Sequence, residues 1–160
     1  MTLARNGKMG QLNVQIRKLH SMAQLPIRSM GGSAGYDLHA FLLTETGRET
    51  KRVVPPRNVV AIPCGIALLP PAGCTTLICS RSGLATKGLM VANAPGVIDP
   101  DYTGEIQVLL FNGGFESYYV QHGDRIAQFI ILPLRVFPLL EVDSLPETER
   151  GDAGFGSTGR

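Results

Sequence analysis

The chain has no tryptophan, and aromatic residues make up only 6% of its 160 positions. Stacking platforms for single-stranded nucleic acid are therefore scarce. Charged residues are 18% and the formal net charge is +2. Lys and Arg adjoin only as Arg17-Lys18 and Lys51-Arg52, so no basic stripe tracks a phosphate backbone. Nucleic acid is not an expected partner. The three cysteines, Cys64, Cys74 and Cys79, form no CxxC pair, and His20, His39 and His122 lack zinc-ligand spacing. Buried, reduced thiols in an intracellular protein, cytoplasmic or nuclear, are expected. Long apolar runs are missing too. Residues 59–69 and 129–140 are broken by prolines and fall short of the roughly 20 residues that span a bilayer. Arg5 and Lys8 precede no apolar h-region, so neither a membrane nor secretion is expected.

Glycine (19 of 160) and proline (11 of 160) exceed their averages of about 7% and 5%, while 44% hydrophobic residues suffice for a core. That mix favours short strands joined by tight turns over a helical bundle. Alternation marks a strand near residues 14–18, and others are read at 36–41, 75–79, 117–120 and 126–134. Two β-rich runs fall within 53–69. The clearest strand is 105–111, with Ile106, Val108 and Leu110 on one face. Residues 84–87 suit one helical turn. Asp99-Pro100-Asp101 has hairpin chemistry. Turn signals recur about every 8–12 residues, the pattern of a sandwich or closed barrel. From Pro146 the chain changes character. A domain over 1–146, with a loose start over 1–12, gives way to a glycine-rich tail over 147–160 that should be mobile alone.

Several residues carry chemistry. The tail nearly fits a P-loop, but Ser157 stands where that pattern needs Lys, so a P-loop NTPase is rejected. Glycine N–H groups and an arginine can still grip phosphate there, and Phe155 wants a partner to cover it. Arg81-Ser82-Gly83 ends a strand, where an anion fits. Asp99 or Asp101 caps a turn or serves as general base for a water. Asp37 is an edge acid or part of a site. Gln128, polar in an apolar strand, must find hydrogen-bond partners.

In order, Ala34-Gly35-Tyr36-Asp37-Leu38, Arg81-Ser82-Gly83-Leu84-Ala85, Gly96-Val97-Ile98-Asp99-Pro100-Asp101-Tyr102-Thr103-Gly104-Glu105, Gly123-Asp124-Arg125-Ile126-Ala127-Gln128 and Arg150-Gly151-Asp152-Ala153-Gly154-Phe155-Gly156-Ser157-Thr158-Gly159 closely resemble the five motifs of the trimeric dUTPase family. The resemblance runs from about residue 12 to the end. It implies an all-β, jelly-roll-like β-barrel with at most one short helix. It also implies a homotrimer with shared active sites, and hydrolysis of dUTP to dUMP and pyrophosphate with Mg2+ on the triphosphate. Asp99 then resembles the acid that activates the attacking water, and Gln128 a positioner of phosphate or water. Arg81, Ser82 and Gly83 resemble phosphate ligands. Asn93, Gly96 and Val97 correspond to the uracil-reading turn, and Tyr102 to the ring beneath the deoxyribose. Arg150, Phe155, Gly156 and Ser157 correspond to the closing tail, with Arg150 on the γ-phosphate and Phe155 on uracil. Asp37 would touch the metal–phosphate region only through water.

Three positions depart from the family pattern. Ser80 replaces the usual proline, Lys87 runs into Gly88 without a histidine, and Ala153 replaces a glycine, which matters if that position needs positive φ. Two rivals stand beside this reading. One is a dCTP deaminase of the same fold, which needs a proton-shuttling carboxylate at the base. The other is a catalytically silent interaction protein, which need not keep Asp99, Tyr102, Arg150 and Phe155.

Overall fold

The structure, a computed structural model, describes residues 13–153. In chain order its elements are β1 (Gln15–Lys18), β2 (Tyr36–His39), β3 (Lys51–Val54), β4 (Val59–Pro63), β5 (Ile66–Leu69), β6 (Cys74–Cys79), α1 (Ser82–Ala85), β7 (Leu89–Val91), β8 (Gly96–Ile98), β9 (Gln107–Asn112), β10 (Tyr118–Gln121) and β11 (Arg125–Pro133). The fold is all-β, as composition and turn spacing predict, and its one short helix spans Ser82–Ala85, two residues earlier than the turn expected at 84–87. The strands form a four-stranded sheet β2-β11-β6-β8, a three-stranded sheet β4-β9-β7, and the pairs β1-β5 and β10-β3, every pairing antiparallel.

The core forms where period-two alternation turns apolar side chains inward. Ile106, Val108 and Leu110 are buried, whereas Leu109 between them is exposed. From β11, Ile126, Ala127 and Phe129 join this core. Phe129 stacks on Tyr36 with ring centroids 5.2 Å apart. Truncating a ring so fully enclosed costs about 3–5 kcal/mol.

Several local expectations change. The two runs within 53–69 become β3, β4 and β5, because Cys64-Gly65 interrupts the second run. Both β7 and β8 have three residues, too short for alternation to declare itself. Asp99-Pro100-Asp101 does bend the chain, and the Tyr102 N–H donates to the Asp99 carbonyl at 3.1 Å. It is not a hairpin, however. β8 pairs with β6, and β9 pairs with β4 and β7, so the turn carries the chain between sheets. All three cysteines are free, but only Cys64 is buried. Burial first, and then the charge of Glu105, push its thiol pKa up to about 12.

Beyond β11 the described chain carries no further strand. Here Leu139 is fully exposed, and Val136, Leu140 and Leu145 are more than four-fifths exposed. Among the described residues no helix is long and apolar enough to cross a membrane.

Candidate active site

The large sheet brings Asp37, Gln128 and the end of β6 into one row, since Asp37 faces Gln128 and Gln128 faces Cys79. Arg81 follows just beyond β6. Its Nε donates to Asp37 Oδ1 at 2.8 Å, and its Nη1 donates to the Arg125 carbonyl at 3.1 Å. Arg125 Nη1 reaches Asp37 Oδ2 at 3.2 Å, and the Ser29 hydroxyl donates to the same oxygen at 2.7 Å. Burial acts to raise the pKa of Asp37. The Ser29 hydrogen bond, the Arg81 charge and the bonds from both arginines outweigh it and hold the carboxyl below its ordinary value. Neighbouring His39 is pushed down by burial first. Arg125 and Arg81 push the same way, while Asp37 opposes them.

Gln128 finds the partner its position demands. Its Nε2 donates to the Ser80 carbonyl at 3.0 Å, and Ser80 Oγ accepts the Val91 N–H at 2.9 Å. Proline at 80 would offer no such hydroxyl, so this departure from the family pattern has a local purpose. A Cβ on Gly35 would lie 2.6 Å from Gln128 Oε1, so glycine in the first motif leaves room for the fourth motif's side chain as it crosses. Ser82 and Gly83 are exposed at the start of α1.

A second group lies past β8. Asp99 and Tyr102 help line a cleft of about 360 Å3 with Val97, Glu105 and Gln107. The Tyr102 hydroxyl donates to the Glu105 carbonyl at 2.9 Å. A Cβ on Gly104 would stand 2.5–2.9 Å from the hydroxyl and ring carbons of Tyr102, so glycine lets the ring fold over its own turn. Asn93 lies beside Gly96, its Nδ2 3.2 Å from where a Cβ on that glycine would sit. A larger cleft, about 590 Å3, is lined by His20, Phe41, Thr44, Arg52 and Glu105 among others and holds none of the expected site residues.

The two groups stay apart. Ile98 faces Thr76 and Gly96 faces Ile78, so Asp99 sits at the far end of β6 from Arg81. From Asp37 to Asp99 the path is three strands across and about four residues along. At roughly 4.8 Å per strand and 3.3 Å per residue, that is on the order of 20 Å.

Arg150 is exposed. Positive φ near it falls on Gly151 (φ 56) and not on Ala153, so Ala153 meets no backbone penalty here. Phe155, Gly156 and Ser157 lie outside the described residues. Sequence reasoning gave no role to Ser29, Arg125 or Glu105. Arg125 and Glu105 stand inside quoted motifs, but Arg125 meets Asp37 88 positions away, and the Glu105 carboxylate accepts the Gly65 N–H 40 positions away.

A family model for dUTPase matches residues 21–159. The chain belongs to the dUTPase family. Among relatives, the deoxyuridine 5'-triphosphate nucleotidohydrolase of Wolinella succinogenes is 42% identical over 94% of this chain and 96% of its own. That of Anaplasma marginale is 46% identical over 92% and 99%. Among solved structures, the dUTPase of Staphylococcus bacteriophage 80alpha with dUPNHPP has a TM-score of 0.79 and 26% identity, covering 92% of this chain and 99% of its own. Membership of the dUTPase family makes this chain an enzyme, a dUTP diphosphatase.

Proposed function

We propose that this dUTPase works as a homotrimer, with each active site assembled from more than one copy and Asp99 as general base. The observation that carries this is the separation of Asp99 from the Asp37–Arg81 cluster, on the order of 20 Å. A general base must lie within hydrogen-bond reach of its water, roughly 2.6–3.2 Å. A phosphate gripped by Arg81 is therefore out of range of Asp99 on the same chain. Apposing copies so that one supplies Asp99, Tyr102, Asn93, Gly96 and Val97, and another supplies Arg81, Ser82, Gly83 and Gln128, removes the conflict. The exposed apolar stretch after β11 supports such an assembly, because it needs a neighbour to cover it.

In this reading Asp99 takes a proton from water, whose oxygen attacks the α-phosphorus. The bond to the β-phosphate oxygen breaks, so that dUMP and pyrophosphate leave. Arg81 and backbone N–H groups stabilise the charge on the phosphates. Tyr102 packs beneath the deoxyribose, and the turn at Asn93, Gly96 and Val97 reads uracil. Residues 147–160 close over the nucleotide, with Arg150 on the γ-phosphate, Phe155 on the base, and Gly156 and Ser157 along the phosphates.

Mg2+ enters as part of the substrate, carried on the triphosphate. The dUTPase of S. aureus phage phi11 coordinates a structural Mg(II) ion. Among the described residues of this chain, no three His, Cys, Asp or Glu side chains gather as a metal-ligand set. Both Asp37 oxygens are already bonded to Arg81, Arg125 and Ser29. The donor set does not fit a directly held ion. The three free thiols fit an intracellular setting.

Pyrophosphate release measured across dUTP, dCTP, dTTP, dATP, dGTP and UTP tests the reaction. Release from dUTP alone is expected. Ammonia from dCTP would favour the deaminase, and no turnover of any nucleotide would favour a silent interaction protein.

A further inference from the structure

Ser29 lies outside all five motifs, in a glycine-rich loop, yet its hydroxyl makes the shortest bond to Asp37. We propose that Ser29 is a positioning residue that acts through Asp37 to fix the direction in which Arg81 presents its guanidinium to phosphate. This rests on the reading of Arg81 as a phosphate ligand.

The geometry is specific. Arg81 spends Nε on Asp37 Oδ1 and Nη1 on the Arg125 carbonyl. The corner left over is Nη2, and the place of the guanidinium depends on where Oδ1 of the Asp37 carboxylate sits. That carboxylate is buried, but its terminal torsion is intrinsically broad and must be pinned through the other oxygen. Two groups reach Oδ2. Arg125 Nη1 does so at 3.2 Å while also donating to Ser29 Oγ at 3.2 Å, from a side chain that is 47% exposed. Both contacts are long, at 3.2 Å, and sit on a long, half-exposed arm, so they hold less firmly than a short bond from a short side chain. Ser29 Oγ reaches Oδ2 at 2.7 Å from a short side chain. Ser29 therefore locks Asp37 and also anchors Arg125.

The loop itself is built to hold Ser29 still. On one side, the Asp37 N–H donates to the Ile27 carbonyl at 2.8 Å, tying the loop's entry to β2. On the other, Arg28 donates through Nε to the Ser33 carbonyl and through Nη2 to the Gly31 carbonyl, both at 2.6 Å. The Ser33 N–H closes the turn on the Met30 carbonyl at 2.9 Å. An exposed turn with so many internal bonds fits the task of holding one hydroxyl in place.

The test measures the affinity of a non-hydrolysable imido analogue of dUTP by calorimetry, together with kcat and KM for dUTP. The proteins compared are wild type, Ser29→Ala, Ser29→Thr, Arg81→Ala and the double variant Ser29→Ala/Arg81→Ala. Ser29→Ala should weaken binding and raise KM about three- to ten-fold with kcat within about two-fold, the signature of lost ground-state binding. Ser29→Thr should restore the affinity. In the Arg81→Ala background, Ser29→Ala should add nothing, because its effect travels through Arg81. Wild-type affinity in Ser29→Ala would overturn the proposal, as would an equal loss with and without Arg81. A wild-type protein that neither binds the analogue nor releases pyrophosphate would bring down the functional reading, and this proposal with it.

Discussion

Mixing two dead variants should restore part of the activity. Asp99→Asn removes the proposed base and leaves the Arg81 cluster intact. Arg81→Ala removes the proposed phosphate grip and leaves Asp99 intact. Asp99 sits past the end of β8, three strands and about four residues from Asp37, on the order of 20 Å away. If every site joins Arg81 of one copy to Asp99 of the next around a ring, each site draws on two chains. In an equal random mixture, the chance that one chain brings Arg81 and its neighbour brings Asp99 is one half times one half. About one quarter of the wild-type turnover should then return. The variants are co-expressed with different affinity tags, or unfolded together and refolded, and pyrophosphate release from dUTP is followed per trimer. Each variant alone supplies the baseline. Activity no higher than that baseline, in a sample shown to contain mixed trimers, would refute the shared site and the geometry behind it.

Other outcomes follow from the same structure. Asp99→Asn alone should lower kcat about 10²–10⁴-fold, the usual worth of general-base help, while calorimetry with the imido analogue still shows binding. Deleting residues 147–160 should lower kcat/KM about 10–100-fold, the worth of charge-assisted contacts to phosphate. Its melting temperature should stay unchanged, because the described part of that segment, residues 147–153, is wholly exposed. Cys64, with its thiol pushed up to about 12, should resist iodoacetamide at pH 8 in the folded protein. Cys74 and Cys79, both partly exposed, should be labelled before it, as peptide mass mapping would show.

Much of the fold was legible because its signals are local. Ile106, Val108 and Leu110 alternate with their neighbours, and burial follows that alternation. The turn chemistry of Asp99-Pro100-Asp101 was legible as well. The sheets its flanking strands would join were not, because pairing partners are distant in sequence and a turn says nothing of them. The same limit applies at the site. Gln128 announced itself as a polar residue in an apolar strand, but its partner, the Ser80 carbonyl, is 48 residues away. Arg125 stood inside a recognised motif with no stated role, since Asp37 is 88 positions off. Ser29 gave no signal, because a serine in a glycine-rich loop is ordinary. The separation of Asp99 from Arg81 was also hidden, because it exists only once β6 and β8 are laid side by side.

The strip that follows β11 has a built-in safeguard. Exposed Leu, Val and Phe side chains on an extended chain would ordinarily invite stacking with identical strips into fibres. Pro133 closes β11 just before this one, and Pro138 and Pro146 punctuate it. Each lacks the N–H that a continuing ladder requires, and the longest proline-free stretch, residues 139–145, carries the charges of Glu141 and Asp143, which oppose stacking with copies of itself. It can lie against a groove through its side chains while its backbone refuses to polymerise. If the chain assembles as proposed, a copy not yet joined to others is thereby protected from precipitating.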